Sequence, residues 1–153
     1  MKKRKKPDAI AEIRGSDKYP EIKAVMELFQ TKEGVLVSVN ALGLPKTMDP
    51  CKQPIFALHI HSGNSCTGNE TDAFADAMTH FNPNYCAHPY HAGDMPPLFG
   101  VGGRGFSIFL TDRFSVKEVI GKAVIIHARP DDFTTQPAGN AGEKIACGII
   151  EKS

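Results

Sequence analysis

The sequence predicts an all-β domain: a Greek-key antiparallel β-sandwich or flattened barrel of about eight short strands, with two long functional loops. Three observations carry this prediction. Apolar and polar residues alternate with a period of two in one short run after another, as half-buried strands require. Fourteen glycines and eleven prolines in 153 residues supply many turns and leave little room for long helices. Two irregular stretches, 62–103 and 128–144, interrupt the rhythm, and long ordered loops in a compact domain are usually functional.

Each element follows in order. Residues 9–14 (AIAEIR) and 22–30 (IKAVMELFQ) read as opening strands. In 35–41 (VLVSVNA), Val35, Val37, Val39 and Ala41 share one face. Residues 54–61 (PIFALHIH) turn Phe56, Leu58 and Ile60 one way and Ala57, His59 and His61 the other. The stretch from Ser62 to Gly103 is rich in Gly, Asn, Pro and His and contains one helix-like patch, ETDAFADAM. Strands return at 105–111 (GFSIFLT) and 122–127 (KAVIIH). After the second irregular stretch, Ala128 to Lys144, the run 145–150 (IACGII) closes the set.

Composition and charge narrow the function classes. Apolar residues make up 41% and charged residues 23%, ordinary proportions for a soluble globular domain. No run of 18 or more apolar residues exists, so no membrane-spanning helix is expected. Lys2, Lys3, Arg4, Lys5 and Lys6 form a basic head, and positions 7–153 carry 13 basic and 17 acidic residues, a net of −4. A mildly acidic body is a poor match for phosphates, so no nucleic-acid partner is expected. Residues 1–7 read as a disordered basic tail and 8–153 as one folded domain. No apolar segment follows the head, where Pro7, Asp8 and Glu12 stand instead. The expected compartment is therefore the cytoplasm, the alternative being export with a leader already removed.

The histidines carry the chemistry. His59 and His61 lie two apart in a strand, so both imidazoles leave the same face, a rigid half-site for a transition metal. His88, His91 and Asp94 form a second cluster, H-P-Y-H-A-G-D, with two imidazoles and one carboxylate that suit zinc. That cluster lacks a fourth ligand, for which Cys86 and His80 are both candidates. His127 ends a strand beside acidic residues that can orient its second ring nitrogen.

The combined pattern resembles the bacterial-type Cu,Zn superoxide dismutase family. The matching pieces are A-L-H-I-H at 57–61, H-F-N-P at 80–83, H-A-G-D at 91–94, V-I-I-H at 124–127 and G-N-A-G-E-K-I-A-C-G-I-I at 139–150. All six histidines and Asp94 fall on the family's ligand positions. The resemblance implies copper held by His59, His61, His80 and His127, and zinc held by His80, His88, His91 and Asp94. His80 is then shared between the two metals as a bridging, catalytic imidazole. Asp131 matches the carboxylate that links a copper-ligand histidine to a zinc-ligand histidine. Cys66 and Cys147 match the family's disulfide. The implied activity is disproportionation of superoxide, a small-molecule substrate, to dioxygen and hydrogen peroxide. The alternative is a metal-binding or copper-delivery module of the same fold with little turnover.

Several positions depart from the family pattern. Lys144 stands where an arginine usually attracts the anionic substrate; the charge survives but the planar fork does not. The resemblance therefore implies a catalytic role for Lys144 with lower turnover than an arginine would give. With an acidic body, steering falls to local cations such as Arg129 and Lys144. Met78 and Thr79 precede the bridging histidine where relatives carry small residues, which implies a changed loop shape or copper access. Cys51 and Cys86 lie outside the shared disulfide, and a second bridge between them is left open. Relatives are dimers or monomers, so a homodimer is one of two expected assemblies.

Overall fold

The structure, a computed structural model, describes residues 5–153; Lys2, Lys3 and Arg4 of the basic head lie outside the described residues. Eight antiparallel strands close into a barrel: β1 (Ala9–Gly15), β2 (Lys23–Gln30), β3 (Val35–Leu42), β4 (Ile55–His61), β5 (Asp94–Val101), β6 (Arg104–Thr111), β7 (Ala123–His127) and β8 (Lys144–Lys152). Their order around the barrel is β1-β2-β3-β6-β5-β4-β7-β8. The chain leaves β3, passes over two strands to β4, and returns through β5 to place β6 beside β3. That path is a Greek key. Among the described residues no helix is long and apolar enough to cross a membrane.

Period-two alternation puts Val35, Val37 and Val39 inside with Met26, Leu28, Phe56, Leu58 and Ile60 in one core. β4 differs from the other early strands because it is buried on both faces beyond Ile55. Its inner face enters the core, and its outer face is roofed by the two long loops. Ala57 N donates to Arg129 O at 2.9 Å and Ile60 N to Gly93 O at 2.9 Å, so both loops are bonded to this strand. A smaller cluster of Phe74, Ala77, Ala123, Ile125 and Cys147 pins the first loop against β7 and β8. The Cys66–Cys147 disulfide reinforces that attachment.

Two local expectations change. β5 lies inside the stretch expected to be irregular. Pro96 and Pro97 hide it in the sequence, because proline cannot donate to a ladder and disturbs the alternation. Accordingly β5 meets β6 only at Gly100 and Val101, and its register against β4 shifts between Phe56 and Leu58. The patch ETDAFADAM forms no α-helix but a 3₁₀ turn at Ala75–Ala77. Side chains take the amides a helix would need: Asn69 Oδ1 accepts from Thr71 N and Asp72 N, and Asp72 Oδ1 from Phe74 N, each at 3.0 Å. One α-helical turn among the described residues, α1 (Val116–Val119), has no counterpart in the sequence reading, although Ser115 and Glu118 spell its capping box.

Candidate metal centre

β4 and β7 supply the first pocket. His59 and His61 leave the outer face of β4, and β7 pairs Ile125 with His59 and Ala123 with His61. The terminal residue of β7, His127, therefore comes alongside, its ring centroid 5.0 Å from that of His59. His80 enters from the first long loop through an isolated antiparallel bridge with His61. Its ring lies 3.9 Å from that of His59. One ligand atom from each of the four histidines lies within 4.8 Å of the others, and all four residues are buried.

Hydrogen bonds fix which nitrogens face inward. His61 Nδ1 donates to Met78 O at 2.7 Å, and His127 Nδ1 donates to Gly142 O at 3.1 Å. A neutral imidazole carries one N–H, so both Nε2 atoms present lone pairs. They face each other at 3.3 Å. Protonating one would relieve the repulsion, but burial pushes both rings down, His61 well below the usual histidine value and His127 to about 3. Burial likewise lowers His59 despite its bond to Asp131. His59 Nδ1 and His80 Nε2 are buried without any hydrogen-bond partner. Four converging imidazole nitrogens in a buried pocket fit a transition-metal cation, and an all-imidazole set suits copper.

The second pocket lies on the far side of His80. His80 Nδ1 is 2.8 Å from Asp94 Oδ1 and 3.2 Å from His91 Nδ1. Asp94 Oδ2 lies 3.0 Å from His88 Nδ1 and 3.4 Å from His91 Nδ1. Burial alone would raise the Asp94 carboxyl, but the His80 bond and the surrounding histidines outweigh it and hold it below the usual range. Three imidazoles and an ionised carboxylate fit a closed zinc site. The vacancy left open in the sequence thus falls to His80, while Cys86 is exposed and outside the ligand group.

Asp131 ties the pockets together. Its Oδ2 meets His59 Nε2 and its Oδ1 meets His88 Nε2, both at 2.7 Å. Burial opposes its ionisation, yet the bonds from His59, His88 and the Phe133 amide hold its carboxyl far below the usual range. Gly139 makes room for this: a β-carbon there would lie 1.9 Å from Asp131 Oδ1 and 2.6 Å from His88 Nε2, at a φ of +69°.

The structure places the remaining predicted residues as follows. Cys66 and Cys147 are bonded, and Cys51 and Cys86 are both free and exposed. Met78 adopts φ 64° and ψ −146°, a conformation that favours glycine, and its carbonyl holds His61. Lys144 pairs with His127 across β7 and β8, but its Nζ contacts Asp72 Oδ2 at 2.7 Å and Phe74 O at 3.2 Å. The Arg129 guanidinium meets Asn140 Oδ1 at 2.9 Å. Three residues with positioning roles carried no recognised signal in the sequence. Gln136 brackets the His88 backbone, accepting from His88 N at 2.9 Å and donating to His88 O at 2.7 Å. Arg113 donates to Pro89 O at 2.7 Å, and Asp72 holds Lys144.

A closed Greek-key barrel carrying an all-histidine pocket and a His₃Asp pocket that share one imidazole defines a dinuclear copper and zinc protein. Comparison with known proteins agrees. The family model described as copper/zinc superoxide dismutase (SODC) matches residues 22–150, and the chain belongs to that family. Cu-Zn superoxide dismutase 2 of Aquifex aeolicus (strain VF5) is 36% identical, over 85% of this chain and 80% of its own. The Cu-Zn superoxide dismutase of Photobacterium leiognathi is 31% identical, over 82% and 77%. Among solved structures, a SOD-like protein from Bacillus subtilis superposes with a TM-score of 0.73 at 26% identity, covering 92% of this chain and 96% of that one.

Proposed function

We propose that the chain disproportionates superoxide to dioxygen and hydrogen peroxide, with copper in the four-histidine pocket and zinc in the His₃Asp pocket. The observation that carries this reading is the set of buried, converging ligand atoms, complete on both sides of His80. Copper supplies reversible one-electron transfer when bound, and zinc supplies a fixed charge beside the shared ring. His80 is the proton-holding residue. Its Nδ1 is committed to the Asp94 side, so Nε2 is the atom free to take a proton and pass it on. Reducing superoxide to hydrogen peroxide consumes one electron and two protons, one from His80 Nε2 and one from water. Asp131 fixes the orientation of His59 and His88, and Lys144 provides positive charge beside His127.

The experiment is to load the protein with copper and zinc, verify one of each per chain, and follow superoxide decay with and without cyanide. Fast, cyanide-sensitive decay is expected. Stoichiometric metal with negligible turnover would favour the second reading, a metal-binding or copper-delivery module. The pairing of Lys144 with Asp72 is the observation on that side.

Two further properties belong to this reading. The Cys66–Cys147 disulfide supports export over the cytoplasm, since cytosolic thiols are kept reduced; cell fractionation tests it. The outer face of β6 supports a homodimer. Phe106, Ile108 and Leu110, with Phe99 and Val101 of β5, are each more than half exposed. With an aromatic side chain offering roughly 150–250 Å², this face supplies much of the ~800 Å² per partner of a standard interface. Sedimentation of wild type and Ile108→Asp distinguishes dimer from monomer.

A further inference from the structure

We propose that Asp72 is a positioning residue that sets how strongly the copper pocket attracts small anions, by holding the Lys144 ammonium in an ion pair. The inference rests on the copper reading above. Lys144 is the first residue of β8 and lies opposite His127, so its charge stands beside a ligand of the four-histidine pocket. That charge is not free. Nζ is 2.7 Å from Asp72 Oδ2 and 3.2 Å from Phe74 O, and the side chain is only 16% exposed. An approaching anion therefore meets a dipole rather than a full positive charge, and a dipole's attraction falls off faster with distance.

The carboxylate is aimed by ordered structure. Asp72 Oδ1 accepts from Phe74 N at 3.0 Å, Asp72 N donates to Asn69 Oδ1 at 3.0 Å, and Asp72 O accepts from Asn69 N at 2.9 Å. Phe74 is itself buried in the small cluster with Cys147, which the Cys66 disulfide fastens to β8. The surrounding cleft does not restore the lost charge. Lys18, its other lysine, is taken by Glu143 at 2.9 Å, and Asp17 and Glu70 add negative charge to the lining. Lys144 thus has a built-in competitor for the substrate.

Azide, an anion that ligates copper, is the probe. Its dissociation constant is read from the copper absorption and electron paramagnetic resonance signals of copper- and zinc-loaded protein at several ionic strengths. Asp72→Asn keeps the Oδ1 that caps Phe74 N and removes the charge; Asp72→Ser is the second variant, should the first fail to fold. Either should bind azide about 3–10-fold more tightly, with a steeper salt dependence than wild type. Lys144→Met should abolish that gain when combined with either. Unchanged azide affinity in the Asp72 variants, or an equal gain in the double variants, overturns the inference alone. Copper in the wild type that gives no response to azide overturns the functional reading and the inference with it.

Discussion

The two metal pockets share a ring but are built by opposite means. The copper pocket stands on adjacent strands, with His59 and His61 on β4 and His127 at the end of β7. Its rings are oriented largely by main-chain carbonyls, those of Met78 and Gly142. The zinc pocket takes His80, His88 and His91 from the first long loop, and Asp94 stands where that loop enters β5. Side chains hold it in shape: Asp131 on the His88 ring, Gln136 on the His88 backbone, and Arg113 on Pro89 O and His91 O. A sheet fixes ligand spacing through its ladder, whereas a loop needs an outer layer of clasps. The zinc pocket should therefore be the more sensitive to polar substitutions away from its ligands.

The largest effect should come from the residue that belongs to both pockets. His80→Ala removes one ligand from each, and we expect zinc affinity to fall by at least about 100-fold, beyond the loss typical of an outer partner. Copper should persist on His59, His61 and His127 while cyanide-sensitive turnover collapses. Metal analysis after chelator competition checks the first part, and retention of both metals with full activity would refute the shared ring.

Acid should weaken the metal-free centre next. A buried neutral histidine with a depressed pKa lets the unfolded chain bind more protons, so stability is complete above about 6.5 and falls as pH drops. His59, His61 and His127 of the copper side are all lowered by burial, His127 to about 3, and His91 on the zinc side is lowered as well. Urea midpoints of the metal-free protein should be level from pH 8 to 7 and decline steadily between about 6.5 and 3. Asp94 and Asp131, both held below their ordinary range, add to the loss below 3.8. His127→Gln should flatten the upper part of that decline.

Gln136→Ala sharpens the contrast without touching a ligand. Zinc affinity should fall about 10-fold and copper affinity should not change; an equal loss of both would show that the clasp serves the whole site. The smallest expected effect is a gain. Met78→Gly keeps the carbonyl that holds His61 and relieves a side chain in a glycine-type conformation. We expect about 1 kcal/mol of added stability and a melting temperature raised by roughly 2–4 °C.

Seven of the eight strands were legible, the first four as short alternating segments and β6, β7 and β8 as apolar runs. β5 was not, because Pro96 and Pro97 interrupt the pattern that would reveal it. The seven ligand side chains were legible as residue types, and their grouping followed from the family resemblance. What orients them was not. A carbonyl such as Met78 O or Gly142 O can come from any residue, so sequence carries no mark of it. The partnership of Lys144 with Asp72 joins positions 72 residues apart and depends on how the first long loop folds back onto β8. Position 144 alone therefore suggested a free guiding charge, and only the folded chain reveals its counterion.

Gly139 binds no ion and donates nothing to either pocket, yet the space beside it is what lets one carboxylate reach two rings. A single added methyl would wedge Asp131 away from His59 and His88 together. One intolerant position in this centre is thus defined by an absent atom, and screening for loss of metal there should find that even alanine is excluded.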